Sequence, residues 1–330
     1  MLQREEGKVT QNETMISLSL FGKKLPRQFG PLLGLVILCI VTAILSPVFL
    51  TVDNLMNIIL QVAVVAVIAV GSTYVILTGG IDLSVGSIMG FAGVVTAMTL
   101  HGTNSTLLGI MVSLGIGAFL GLINGMLVTI GKVPPFCATL GMMSVARGLS
   151  FVVTKGSPVS NFSEQFRFFG AGYLGPIPIP VIEAVIVALI GGYILGHTPL
   201  GRYLYSIGSN VRASRLSGID TKKVTLLAYL ISGLLCGLAA ILFIGRINSG
   251  HPLAGQGYEM DAIAAVVIGG TSLAGGTGSI SGTFIGALIM GVIRNGLNLV
   301  NVDPFWQNVV LGAVIIIAVM VDQRTKGKEE

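Results

Sequence analysis

Between residues 31 and 321 the chain alternates long apolar runs with short breaks rich in Gly, Pro, Asn and charge. Each run is long enough for a membrane-crossing helix of about 20 residues. The breaks predict helices over 31–50, 55–77, 85–101, 107–130, 136–154, 177–196, 224–245, 262–280, 283–300 and 306–321. Two places resist a clean division: the fifth run contains Arg147, and glycine-rich backbone separates the eighth from the ninth. Barrel strands would alternate polar and apolar residues over about 10 positions, and these runs do not. The pattern predicts an all-α, polytopic transmembrane helical bundle of about ten spans.

Basic residues orient it. Arg4, Lys8, Lys23, Lys24 and Arg27 precede the first span, and Lys132 follows the fourth. Arg202, Arg212, Arg215, Lys222 and Lys223 follow the sixth, and Arg324, Lys326 and Lys328 follow the tenth. With ten spans these places share one side, which the positive-inside rule makes cytoplasmic. The expected organisation is a cytoplasmic tail over 1–28, one transmembrane domain over 29–323 with a cytoplasmic loop at 197–223, and a cytoplasmic tail over 324–330. The first tail lacks a short apolar core followed by a small-residue cleavage site, so it does not read as a signal peptide.

A composition that is 53% hydrophobic and 10% charged excludes a soluble globular domain. In this setting a net charge of +5 reads as cytoplasmic anchoring, and no nucleic-acid partner is implied. Glycines recur four apart inside apolar segments, as in Gly117, Gly121 and Gly125 or Gly278, Gly282 and Gly286, a spacing that lets helix backbones approach closely in lipid. Cys39, Cys137 and Cys236 stand alone, and His101, His197 and His251 are scattered, so no metal site is expected.

Chemistry that the chain lacks is informative. The nearest approach to a phosphate-binding loop, Gly125 to Lys132, is one residue too long and is followed by Val133. A formal G-x-G-x-x-G at Gly170, Gly172 and Gly175 runs into Pro176, Pro178 and Pro180, so no helix N-terminus stands there to hold a pyrophosphate. An internal echo exists: Asn124-Gly125 before Pro135-Phe136 matches Asn295-Gly296 before Pro304-Phe305. A second, Gly79-Gly80 against Gly269-Gly270, has a different offset and places both loops on the cytoplasmic side, which an inverted repeat forbids.

The stretch from Gly196 to Lys223 is a basic island with Asp220 as its one acid. Within it, Ser209 or Asn210 can cap a helix of about two turns that Gly218 ends. Alone in water so short a helix is marginal, so it is expected to lie on the membrane surface or in a groove of another protein.

LGRYLYSIGSNVRASRLSGI in this island resembles the cytoplasmic coupling segment of permease subunits of ATP-binding-cassette sugar importers. TGGIDLSVGS at 78–87, GYEMDAIAAVVIGGTSLAGGTGS at 257–279 and NGLNL at 295–299 agree with the same family, and the likeness extends from about residue 45 to Asp322. The resemblance implies a multi-pass subunit of a bacterial cytoplasmic membrane that carries a monosaccharide, with ribose or a related pentose or polyol foremost. Its implied partners are a second permease copy, identical or similar, a cytoplasmic ATPase pair and an extracytoplasmic sugar-binding protein. ATP and Mg would sit on the ATPase, with no cofactor on this chain and no enzymatic activity of its own. On that reading Gly208, Asn210, Ala213, Arg215, Ser217, Gly218 and Ile219 contact the ATPase.

The remaining polar candidates have two readings each. Asp82, with Ser84, either caps the following helix or faces the pathway and meets sugar hydroxyls. Glu259 and Asp261 either stabilise a helix start or join Arg246, Lys155 and Arg167 in an outer rim where the binding protein lands. Arg147 and Arg294 fall within spans and need a partner or water. The spans show no dense set of amides or carboxylates for gripping hydroxyls, which fits a weakly binding channel. The competing class is a secondary transporter driven by an ion gradient, which needs intramembrane carboxylates; a membrane enzyme would need a catalytic cluster, and none is found.

Overall fold

The computed structural model describes residues 29–326, with side chains over 30–320. The expected tail over 1–28, and the side chains of 324–330, lie outside the described residues. The elements run α1 (Phe29–Leu45), α2 (Val52–Leu77), α3 (Val85–Thr103), α4 (Thr106–Thr129), α5 (Pro135–Thr154), β1 (Val159–Ser160), α6 (Glu164–Ala171), β2 (Tyr173–Leu174), β3 (Ile177–Pro178), α7 (Ile179–His197), α8 (Pro199–Ser209), α9 (Val211–Leu216), α10 (Thr221–Ile247), β4 (Ser249–Gly250), α11 (Tyr258–Ile268), α12 (Ile280–Leu299) and α13 (Pro304–Lys326).

Seven of these helices, α2, α3, α4, α5, α7, α10 and α12, are long and apolar enough to cross a membrane, and two shorter apolar helices occupy 30–45 and 304–320. The expected helix over 262–280 is not a continuous span. It is α11, 11 residues long, and it stops at Gly269 before a non-helical stretch with Gly270, Gly275 and Gly276 at positive φ. Those backbone angles suit glycine and not a helix. The first helix ends at Leu45, five residues early, because Pro47 disfavours a helical Ser46.

At the centre lie α2 and α10, of 26 and 27 residues. From Val62 to Leu77 every residue of α2 is buried, as expected of a helix apolar on all sides. The two helices are antiparallel: Leu77 at the end of α2 and Thr221 at the start of α10 lie at one face, while Gly245 near the end of α10 packs on Gly170 of α6 at the other. Each face is named here for its landmark, the α9 face and the α6 face.

The glycine rows work as expected. A Cβ on Gly117 would collide with the Gly233 carbonyl and one on Gly121 with the Tyr229 carbonyl, so α4 and α10 touch backbone to backbone. In the second row Gly282 and Gly286 of α12 lie on Gly269, just past α11, and on Ala265 within it, whereas Gly278 precedes α12 and faces the Thr271 side chain.

Two halves are related by inversion. Each has a long central helix (α2, α10), a non-helical inward stretch (78–84, 248–257), a following helix (α3, α11), a glycine-rich helix carrying Asn-Gly (α4, α12) and a helix opened by proline (α5, α13). The packing follows suit: α3 lies on α4 and α11 on α12, while α10 packs along α4 and α2 along α12. The first sequence echo therefore marks a real correspondence. The second pairs the wrong segments, since the counterpart of 78–84 is 248–257, at the opposite end of an antiparallel helix.

Candidate functional site

On the α9 face, α8 is seated on the bundle by Leu204 and Ile207, both buried, and by the Tyr205 hydroxyl, which donates to the Gly278 carbonyl at 2.8 Å. Gly208 lies directly against Leu77 O and Gly276, leaving no room for a side chain. It is thus packed against its own chain while remaining half-buried.

The short helix of the basic island is present as α9. Asn210 Oδ1 accepts the Ala213 amide at 2.9 Å, capping it, and Gly218 at φ +82° ends it while Ile219 N donates back to Ser214 O at 3.1 Å. Of its six residues only Ser214 is buried, held by its hydroxyl contact with Ser206 at 2.8 Å. Asn210, Ala213, Arg215, Ser217 and Gly218 are exposed and Ile219 is half-buried. Leu216, absent from the expected contact set, is the most exposed of the large apolar residues among those described, at 86%. A leucine among cations on an outer helix face was the available signal.

Beneath α9 a cavity of about 630 Å³ is bounded by Thr78–Gly80, the α4–α5 turn at Lys132 and Pro135, Arg215, Lys222 and Tyr229. Arg215 Nε donates to Thr221 Oγ1 at 3.0 Å, and among the described residues no carboxylate pairs with Arg212, Arg215 or Lys222. Asp220 instead caps α10, accepting the Lys223 amide at 3.1 Å, and that bond, with the Lys223 ammonium 3.3 Å away, holds its carboxyl below the usual carboxylate range.

Asp82 is deep. Its Oδ1 accepts both the amide and the hydroxyl of Ser84, and Ser84 Oγ accepts from Asn124 Nδ2 at 2.8 Å. Asn124 stands five residues before the end of α4. At 1.5 Å per residue the cluster lies roughly 8 Å below the α9 face. Ser84 is the N-cap residue of α3, so Asp82 braces the turn that launches the helix and does not cap it directly. Its Oδ2 and Asn124 Oδ1 are buried without a hydrogen-bond partner.

Glu259 and Asp261 are also buried, which removes them from any outer rim. Glu259 Oε1 accepts the Gly257 amide at 3.3 Å, and its other oxygen lies against Gly86 of α3. Asp261 Oδ1 receives Arg294 Nη2 at 2.7 Å, which supplies the partner that Arg294 required. Arg147 Nη2 is buried without one. Lys155, Arg167 and Arg246 do share the α6 face. Lys155 terminates α5, Arg167 lies exposed on α6, and Arg246 stands half-buried in the last turn of α10. The β1–β4 pairing and the Asn248 side chain, which accepts the Phe162 amide at 2.9 Å, tie these segments together.

This arrangement has no catalytic cluster among the described residues; it has a short, exposed, basic helix at one face and buried charges between antiparallel halves. Residues 54–319 match the family model described as the permease component of a branched-chain amino acid transport system. The chain belongs to that family. It is 48% identical over 297 residues to the ribose import permease of Escherichia coli strain K12, covering 89% of this chain and 92% of that one. The ribose import permease of Bacillus subtilis strain 168 is 47% identical over 300 residues, covering 90% and 93%. The D-allose transport system permease of Escherichia coli strain K12 is 41% identical over 299 residues, covering 90% and 91%. No solved structure matches. The stretch common to this permease family begins within α2 and ends within α13, so it includes both inward stretches and α8–α9 and leaves out α1.

Proposed function

We propose that this chain is the membrane-spanning permease subunit of an ATP-binding-cassette importer for a monosaccharide, ribose being the first candidate. The carrying observation is α9. It is a capped helix with Leu216 exposed and, among the described residues, no carboxylate paired with Arg212 or Arg215, in a chain of a permease family whose relatives include ribose import permeases. A separate ATPase subunit, which holds ATP and Mg, receives α9 in a groove. The contact set is Asn210, Arg212, Ala213, Arg215, Leu216, Ser217, Gly218 and Ile219, with Gly208 as its support.

The α9 face is then cytoplasmic. Counting α1, α13 and the α11 half-helix as one passage each with the seven long helices gives ten, and both termini fall on that side in a bacterial inner membrane. Lys155, Arg167 and Arg246 face outward to an extracytoplasmic sugar-binding protein, and a second permease copy completes the pathway. Closure of the ATPase pair on nucleotide moves α9 and, through Gly208 on Leu77 and Gly276, the ends of both halves at once.

The test is reconstitution in proteoliposomes with the ATPase and binding protein. Ribose uptake should require ATP, and Arg215→Ala/Leu216→Ala should retain membrane insertion while cutting uptake about tenfold or more. Uptake driven by an ion gradient through this chain alone would establish the secondary-transporter reading instead.

A further inference from the structure

The chain from Ser249 to Tyr258 runs inward beside α3. Gly250 meets Gly93 and Ala97, Ala254 meets Gly90, and Gly255 meets Gly86. Gly90 lies thirteen residues from the α6-face end of α3, so the stretch descends about 20 Å. Its backbone is largely non-helical, yet Leu253 and Gln256 are exposed along it. Non-helical backbone at membrane depth is tolerated only where it is buried in protein or lines a water-filled space. This side of the stretch therefore faces water or the partner copy, and not lipid.

Behind it, between α2, α11 and α12, is a cavity of about 70 Å³ lined by Gln61, Gln256, Tyr258, Asp261 and Arg294. The Asp261–Arg294 pair closes one wall. Arg294 Nε is buried without a hydrogen-bond partner. No hydrogen bond within the described residues engages the side-chain amide of Gln61 or Gln256, or the Tyr258 hydroxyl.

We propose that this cavity is a hydroxyl-binding waystation on the sugar's path, in which Asp261 and Arg294 hold neighbouring hydroxyls and Gln61 and Gln256 take others. The inference rests on the importer reading. An ion is a poor fit, because Asp261 and Arg294 cancel and the remaining groups are neutral. A polyol suits the set, since every hydroxyl both donates and accepts, as the two amides and the phenol do. A structural ion pair would have no need of free amides on two further segments. The present volume holds only a few waters, whose share is about 30 Å³ each, so α11 must shift against α12 for a sugar to enter. The glycine-on-backbone contacts of Gly282 and Gly286 give those helices smooth surfaces to slide on.

The assembled importer in proteoliposomes, with ribose uptake and ATP hydrolysis read in the same vesicles, tests this. Gln61→Leu/Gln256→Leu should lower uptake about tenfold, the loss of two hydrogen bonds, while hydrolysis stimulated by loaded binding protein stays within about twofold. ATP consumed per sugar then rises. Equal ATP per sugar in variant and wild type, at unchanged uptake, overturns the proposal. A second measurement stands if the double variant fails to fold: Gln256→Cys, with Cys39, Cys137 and Cys236 replaced by Ala, labelled by a membrane-impermeant maleimide in lipid nanodiscs. Labelling slowed by ribose, and not by betaine at equal osmolality, supports the site; labelling indifferent to ribose overturns it. ATP-independent uptake by wild type would remove the importer reading and leave the labelling result standing, so the two failures are distinguishable.

Discussion

The inward stretches 78–84 and 248–257 occupy equivalent places in two inverted halves, yet they are finished differently. In the first, Asp82 is 3% exposed and its bonds to Ser84, and through Ser84 to Asn124, stay within the bundle. In the second, Leu253 and Gln256 are left exposed at depth, and of the two acids behind them Asp261 meets Arg294. The inverted repeat thus supplies the same backbone device twice. The side chains make one copy a fixed brace near the α9 face and the other a wall with an open side toward the α6 face.

Several substitutions break or sharpen that contrast. The largest effect belongs to Gly86, where the start of α3 meets the second stretch: a Cβ there collides with Gly255 O and the Glu259 carboxylate. Gly86→Val should cost more than about 4 kcal/mol, beyond what the fold tolerates, and is read as loss of monodisperse protein after detergent extraction. Next is the ion pair. Asp261→Leu strands Arg294 and should cost about 3 kcal/mol, whereas Asp261→Leu/Arg294→Met should recover most of it, because a buried pair is dearer to break than to replace. Denaturation midpoints of both variants check this, and equal losses would show that the pair is not a unit.

Asp82→Asn comes third. It keeps one acceptor for Ser84 and removes the charge, so a loss of about 1–2 kcal/mol in stability with unchanged uptake per folded molecule is expected of a brace. Altered sugar dependence with unchanged stability would move Asp82 into the pathway and dissolve the contrast. The smallest effect lies at Asp220. Its folded carboxyl titrates below the unfolded value of about 3.9, so the stabilisation it gives is present above that pH and is lost as pH falls through the folded value. The difference in thermal midpoint between wild type and Asp220→Ala should be constant from pH 5 upward, on the order of one unit above that reference value, and shrink below about pH 4.

Much of the bundle was legible from hydropathy, because apolar length and glycine spacing act locally. α11 was not, since the apolar run across 262–280 continues through Gly269 and Gly270 without a charge to interrupt it. The island's helix was legible from Asn210 and Gly218, whose capping chemistry is local too. Burial of Glu259 and Asp261 was not, because both are helix-start acids by sequence and only the inward course of 248–257 carries them away from the surface. Nor was the polar cavity: Gln61, Gln256 and Arg294 come from three separate segments and look sparse in each.

The half-length of α11 bears on how the protein is made. Eleven residues rise about 16 Å, roughly half of a hydrocarbon core near 30 Å thick. Such a segment cannot partition into lipid on its own when it leaves the ribosome. It packs on α2, α3, α12 and α13, and beyond Ile268 its backbone bonds back to its own last turn, within the following stretch and, from the Gly276 amide, to the Leu77 carbonyl at the end of α2. The second half of the chain is therefore completed by a tertiary step, in which residues 258–279 take their place against helices of the first half.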